Sequence, residues 1–262
     1  MDLQVGVIIV AGGSGRRMGS GLPKQFRLLG GVPVLARTIN RFAEAFAGAE
    51  IVVVLPEEHI AFWHNLAARF EVQPHRVAAG GTERFHSVRN GLAALTGSPR
   101  LIAVHDGVRP LVSVPLIRRT AAAAAEFGAA IPVTEPVDSL REVAAPAADE
   151  AARRIERESH AIDRSRLRLV QTPQIFRAEW LTEAYEAAWK EAFTDDASVV
   201  EAAGRSIVLC RGEASNLKLT RPEDFVVAEA LLAAQEEADA WDDLHEADNA
   251  PQDAVNPPSG SR

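Results

Sequence analysis

The stretch Gln4-Val-Gly-Val-Ile-Ile-Val-Ala11 runs without a charge into Gly12-Gly-Ser-Gly-Arg-Arg-Met18. A strand with one wet face alternates apolar and polar residues. This one is apolar on both faces, as a strand buried inside a parallel sheet must be. The glycines then mark the turn by which it leaves the sheet. The run is far shorter than the ~20 residues of a membrane span, and no basic segment precedes it, so it reads as a first strand and not as a signal peptide.

The pattern continues outward from there. Val34–Ala47 carries Leu35, Ile39, Phe42 and Phe46 at helical spacing, and Ile51–Leu55 is a second buried strand stopped by Pro56. A helix through Phe62, Leu66 and Phe70 follows, then strand Val77–Ala79, a helix around Val88–Leu95, strand Leu101–Val104 and helix Pro115–Phe127. Ala129–Val133, Leu167–Val170 and Ile207–Cys210 read as further strands. Strands alternating with helices imply right-handed βαβ units. The expected fold is α/β: a single doubly wound, mostly parallel, Rossmann-like sheet. Residues 136–166 are polar and charged and too long for a plain connection, so they are expected to leave the sheet as an arm. The body is assigned to residues 1–234, with a last helix from Pro222 to about Ala240. Residues 235–262 are an acidic tail of disorder-prone composition.

Of the 262 residues, 47% are hydrophobic and 24% charged, which suits a globular chain with a sizeable core. The net charge of −8 belongs to the tail: residues 235–262 hold eight acids and one arginine, −7 in all, which leaves −1 for the body. A nucleic-acid surface, which needs a basic face, is not expected. Between Asp2 and Glu44 there is no acid, only Arg16, Arg17, Lys24, Arg27, Arg37 and Arg41, so the glycine turn lies in a local cationic field. The single cysteine, Cys210, allows no internal disulfide and fits a reducing, cytoplasmic setting.

Ligands of open α/β sheets bind beyond the carboxyl ends of the strands, which is where this turn falls. It is not the dinucleotide fingerprint, because Met18 stands where the last glycine belongs. Nor is it a P-loop, because Arg16-Arg17 replaces Lys-Ser/Thr. What remains is a backbone that can approach a polyphosphate closely, with arginine and lysine at hand. A plain turn with solvated basic residues is the bland alternative.

The turn with Pro23-Lys24-Gln25 resembles the opening signature of nucleotidyltransferases. It most resembles the 2-C-methyl-D-erythritol 4-phosphate cytidylyltransferase family of the non-mevalonate route to isoprenoids. Further matches follow in order: Gly80-Gly-Thr-Glu-Arg84 with Ser87-Val88, Val104-His-Asp-Gly-Val-Arg-Pro110, Gln171-Thr-Pro-Gln174, Thr194-Asp-Asp-Ala-Ser198, and Asn216-Leu-Lys-Leu-Thr220 leading to Pro222-Glu-Asp224. They span about residues 5–230.

The resemblance implies that CTP and 2-C-methyl-D-erythritol 4-phosphate are joined with release of pyrophosphate. Arg17 and Lys24 are then the transition-state stabilisers, and Arg164 and Lys218 position the acceptor. Substrates touch Ala11, Gly12, Gly13, Gly15, Gly80, Gly81, Ser87, Asp106, Arg109, Ser139 and Thr172. Mg²⁺ or another divalent cation is held mainly through the CTP phosphates, with Asp106 as a further ligand. The arm implies a homodimer in which Ser139 and Arg164 serve the partner's site. Gly12 and Ser139 depart from the alanine and threonine usual in the family.

Some residues have structural readings of their own. His105 beside a strand end is expected to be structural, Cys210 a small core residue, and Thr194 the cap of a helix with Asp195 and Asp196 in its first turn. A ribitol-5-phosphate cytidylyltransferase is the nearest rival, and a non-catalytic nucleotide-binding regulator a remote one.

Overall fold

The computed structural model describes residues 4–13, 21–143 and 158–248, with side chains through Glu237. Gly15 and Arg17, the middle of the arm and the end of the tail lie outside the described residues.

Four strands form the parallel half of the sheet: β1 (Val5–Val10), β4 (Glu50–Leu55), β5 (Arg76–Ala79) and β6 (Leu101–Asp106), in the order β5-β4-β1-β6. Between β4 and β1 on one side and β6 on the other, the chain reverses the direction in which it adds strands. The carboxyl ends of β1 and β6, where Val10 pairs with Asp106, are therefore a topological switch point. Beyond β6 the sheet becomes mixed. β11 (Gln174–Arg177) runs antiparallel between β6 and β7 (Ala129–Thr134), and β7 also carries β10 (Leu169–Val170, antiparallel) and β12 (Val208–Arg211, parallel).

The uninterrupted apolar run of β1 is explained by its two cores. Val7 and Ile9 point to one face, against α1 (Val34–Ala45) and α4 (Val114–Phe127). Ile8 points to the other, against α3 (Arg84–Ala94) and, further along, α5 (Ala178–Ala184) and α6 (Asp196–Ala202). Each of the three is 0% exposed, so a polar residue at any of them would be buried without a partner. α2 (Glu57–Arg69) covers the β4–β5 end, packing Trp63 and Ala67 onto the first core. A third apolar cluster seats the start of α7 (Pro222–Asp248) through Phe225, Ala228 and Leu232 on Leu29, Val34, Val108 and Leu219.

Two small hairpins lie off the main sheet. One pairs β2 (Leu28–Leu29) with β3 (Val32–Pro33), and the other pairs β8 (Leu140–Val143) with β9 (Ser159–Ile162) inside the expected arm. The doubly wound α/β sheet expected from the sequence is present. Three readings change. β11 and α5 carry no periodic signal long enough to be seen, and the short α6 shows only through its capping residues. α7 runs past Ala240 to Asp248, because alanine and charged residues extend a helix that has no glycine or proline to stop it. The cap of α6 is Asp195 and not Thr194: its carboxylate accepts the Ser198 N–H at 2.9 Å and the Ser198 hydroxyl closes a capping box. Among the described residues no helix is long and apolar enough to cross a membrane.

Candidate active site

A cavity of about 300 Å³ opens over the carboxyl ends of β1 and β6, lined among others by Gly12, Gly13, Lys24, Arg84, Asp106 and Lys218. The chain is pinned as it leaves β1. The Ala11 N–H donates to Val54 O at 2.9 Å, and Gln25 Nε2 donates to Ala11 O at 2.9 Å. Gln25 belongs to a 3-10 turn, Lys24–Phe26, which Phe26 anchors by packing 1% exposed against Phe62 and Trp63. The anchored turn directs Lys24 to the glycines, where its Cε lies 3.9 Å from the point at which a Gly13 side chain would begin.

The opposite wall is the turn between β5 and α3. Gly80 N–H donates to Leu55 O at 2.7 Å, and Gly81 N–H donates to the Ser87 hydroxyl at 3.1 Å. A side chain on Gly81 would collide with His86, so glycine is required for the turn to close on the helix.

Asp106 ends β6 on the floor. Its Oδ2 accepts from Lys218 Nζ at 2.9 Å and from Arg109 Nε at 3.3 Å, and its Oδ1 faces Arg84 Nε at 3.8 Å. Burial pushes its pKa up, but Arg84, Lys218 and Arg109 outweigh burial and hold it well below the usual carboxylate range. The site thus keeps one fixed anion inside a cluster of cations. Beneath it His105 is 0% exposed, and burial pushes its pKa down to about 3 despite the neighbouring Asp106. The neutral ring then has one consistent set of bonds: Nε2–H donates to Arg109 O at 3.3 Å and Nδ1 accepts the Thr172 hydroxyl at 3.0 Å. The same Thr172 oxygen accepts the Asp106 N–H at 3.1 Å.

Ala11, Gly12, Gly13, Lys24, Gly81, Ser87, Asp106 and Lys218 come together around this cavity, with Gly80 directly behind Ser87. Arg109 and Thr172, expected to touch substrate, lie beneath the floor. Arg109 donates to Asn216 O at 2.8 Å as well as to Asp106, and Thr172 is used by His105 and Asp106. In this arrangement both brace the site. Ser139 stands just before β8 and Arg164 just after β9, where Arg164 donates to Val137 O, and neither lines the cavity. Arg84, Glu83, Thr82 and Gln25 line it without having been singled out by the sequence reading. They lie inside the quoted motifs, but spacing alone could not tell which members face inward. Asp196, expected in the first turn of a capped helix, is 0% exposed and forked by Arg84 at 2.8 and 2.7 Å.

Gly12, Gly13, Lys24, Lys218 and Asp106 gather at the switch point of an open α/β sheet, and the proteins this chain is similar to define its class as an α/β nucleotidyltransferase. The family model described as 2-C-methyl-D-erythritol 4-phosphate cytidylyltransferase matches residues 5–234, and the chain belongs to that family. Among its curated relatives, the 2-C-methyl-D-erythritol 4-phosphate cytidylyltransferase of Porphyromonas gingivalis is 47% identical over 229 residues, 87% of this chain and 97% of the relative. That of Phocaeicola vulgatus is 45% identical over 227 residues, 86% and 98% of the two chains. The crystal structure of the enzyme so named from Thermus thermophilus superposes with a TM-score of 0.66 at 32% identity, covering 87% of this chain and 98% of that one. A 4-diphosphocytidyl-2C-methyl-D-erythritol synthase from Anaerococcus prevotii gives 0.71 at 28% identity, covering 87% and 96%.

Proposed function

We propose that this protein joins CTP to 2-C-methyl-D-erythritol 4-phosphate, yielding 4-diphosphocytidyl-2-C-methyl-D-erythritol and pyrophosphate, a step of isoprenoid precursor synthesis. The observation that carries the reading is the Lys218–Asp106 pair at 2.9 Å between the two glycine turns, in a chain whose body matches the family throughout.

A phosphate oxygen of the acceptor attacks the α-phosphorus of CTP, and the bond to the pyrophosphate oxygen breaks. The nucleophile is already anionic, so the task is to bring two anions together and stabilise charge on the oxygens of the transferred group. Backbone N–H groups of the glycine turn and the Lys24 ammonium suit the triphosphate, and Arg17 joins them in this reading. Lys218 suits the acceptor phosphate, with Arg164 delivered from a partner's arm. That arm is the reason for proposing a homodimer; among the described residues β8 and β9 pair with each other and with no other strand. The reading also places the reaction in the cytoplasm.

Among the described residues no group of three His, Cys, Asp or Glu side chains could hold a metal. An ionised Asp106 at the cavity floor nevertheless fits a Mg²⁺ carried in on phosphate oxygens, since Mg²⁺ is commonly bound by one or two carboxylates plus substrate phosphates. Bound there, the ion neutralises phosphate charge.

The test is pyrophosphate release from CTP and Mg²⁺ with methylerythritol phosphate and ribitol phosphate offered separately. The first is expected to turn over much faster, because the chain belongs to the methylerythritol phosphate family over residues 5–234. The reverse order rejects the proposal. Absence of turnover with either, in folded protein that binds CTP, points to a regulator instead.

A further inference from the structure

We propose that Arg84, braced from behind by Asp196 and Tyr185, is the positioning residue that fixes the Asp106 carboxylate in the crevice and, through it, the place of Lys218. Arg84 opens α3 directly after the Gly80–Gly81 turn, and its guanidinium addresses two carboxylates at once. Nη1 and Nη2 fork the two oxygens of Asp196 at 2.8 and 2.7 Å, which leaves Nε facing Asp106 Oδ1 at 3.8 Å. The last distance is a charge contact and not a hydrogen bond, so its direction depends on how firmly the fork is held.

The fork is held firmly. The Asp196 side chain is 0% exposed, and the Tyr185 hydroxyl donates to its Oδ1 at 2.6 Å. The Tyr185 ring is stacked on Phe85 with centroids 4.7 Å apart, which stops it from swinging away. The first turn of α6 is tied to the sheet as well: Gln174, on the strand next to β6, accepts the Ala197 N–H at 2.9 Å and donates to Asp195 at 2.8 Å.

Asp106 is therefore held from two sides, Oδ1 by Arg84 and Oδ2 by Lys218 and Arg109. With Arg84 gone, both remaining cations pull on one side and the carboxylate turns toward them. Lys218 is half-exposed and bonded to Asp106, so it would follow its partner. Lysine at position 84 cannot substitute, since a point charge cannot fork Asp196 and face Asp106 together.

The kinetic part of the test rests on the cytidylyl-transfer reading, and the crystallographic part does not. In Arg84→Lys the KM for methylerythritol phosphate is expected to rise about tenfold while that for CTP stays within about twofold, because displaced groups penalise the substrate they orient. Tyr185→Phe keeps the ring and removes one bond to Asp196, so it should show the same split at smaller size. A crystal structure of Arg84→Lys should show the Asp106 carboxylate rotated and the Lys218 contact changed. Wild-type values for both KM terms, an equal rise in both, or an unmoved Asp106 each overturn the proposal. If the wild-type protein does not turn over methylerythritol phosphate, it is the functional reading that fails, and the position of Asp106 in the variant then decides this one.

Discussion

Lys218 Nζ and Asp106 Oδ2 stand 2.9 Å apart although one lies just before the last helix and the other ends a central strand. The contact follows from a short alternation. Leu219 is 0% exposed and its N–H donates to Val108 O at 2.9 Å, while Leu217 packs on the same apolar cluster, so the residue between them turns the other way. One buried and one half-buried leucine aim the lysine.

Replacing Lys218 with methionine should keep the stem and remove the charge. Asp106 is buried but keeps Arg84 and Arg109 when the half-exposed Lys218 loses its charge, so melting should fall only modestly, whereas loss of the cation proposed for the acceptor phosphate should lower kcat/KM about 10²–10³-fold. Steady-state kinetics beside a melting curve checks this; a variant of near wild-type kcat/KM removes Lys218 from the site.

His105 predicts an acid-sensitive fold. Its ordinary pKa of 6.5 is pushed down to about 3, chiefly by burial, so on acidification the unfolded chain takes up a proton that the folded chain refuses. The contribution of the neutral ring is complete above about pH 6.5 and is lost progressively as the pH falls toward 3, at no more than about 1.4 kcal/mol per pH unit for one proton. Asp106 acts in the same direction at lower pH, its folded pKa lying below the ordinary value of 3.8. Melting temperatures between pH 7 and 4 should fall less steeply in His105→Gln. Equal slopes would mean that another group governs the acid limb.

Gly107 tests the close approach on which the floor depends. A methyl group there would lie 2.9 Å from Ala11 Cβ, 3.1 Å from Leu35 Cδ1 and 3.2 Å from Ile9 Cγ2. The end of β1 or the first turn of α1 would have to move. Gly107→Ala should cost about 1–3 kcal/mol, as overpacking does, and lower the melting temperature by several degrees. It should also weaken CTP binding, because the displaced atoms carry the glycine turn. Calorimetry with CTP titration reads both, and an unaltered affinity would detach the turn from the nucleotide.

The parallel half of the fold was legible because β1, β4 and β6 are buried on both faces and so are written as unbroken apolar runs. β11 was hidden: Gln174-Ile-Phe-Arg177 is four residues long and polar at both ends, and only its neighbours β6 and β7 make it a strand. The glycine turns, Lys24, Asp106 and Lys218 were legible as chemistry in motifs. The inward use of Arg109 and Thr172 was not, since an arginine three residues past a strand end can face either the ligand or its own carboxylate. Which one it faces is decided by Asn216, more than a hundred residues away in sequence, whose carbonyl takes the guanidinium. Arg84 stayed hidden for the same reason, its partner Asp196 being distant in sequence and buried in space.

Lys24 gives the sharpest separation of binding from catalysis. Its turn is fixed by Phe26, which sits among His59, Phe62 and Trp63, and its side chain reaches the glycines with only 9% of the residue exposed. An ammonium held so closely is organised before the nucleotide arrives, which is the condition for stabilising charge that grows during displacement. In Lys24→Ala, kcat should fall about 10²–10³-fold while the KM for CTP stays within about threefold, since an interaction made mainly in the transition state leaves ground-state binding nearly intact. Lys24→Arg should not restore the rate: a planar, bulkier guanidinium does not fit the slot of a compact ammonium beside Gly13. Rapid-quench measurement of the cytidylylated product beside stopped-flow pyrophosphate release separates the chemical step from product loss. A variant with unchanged kcat and raised KM would make Lys24 a binding residue only, and would leave the charge of the transferred cytidylyl group to other cations.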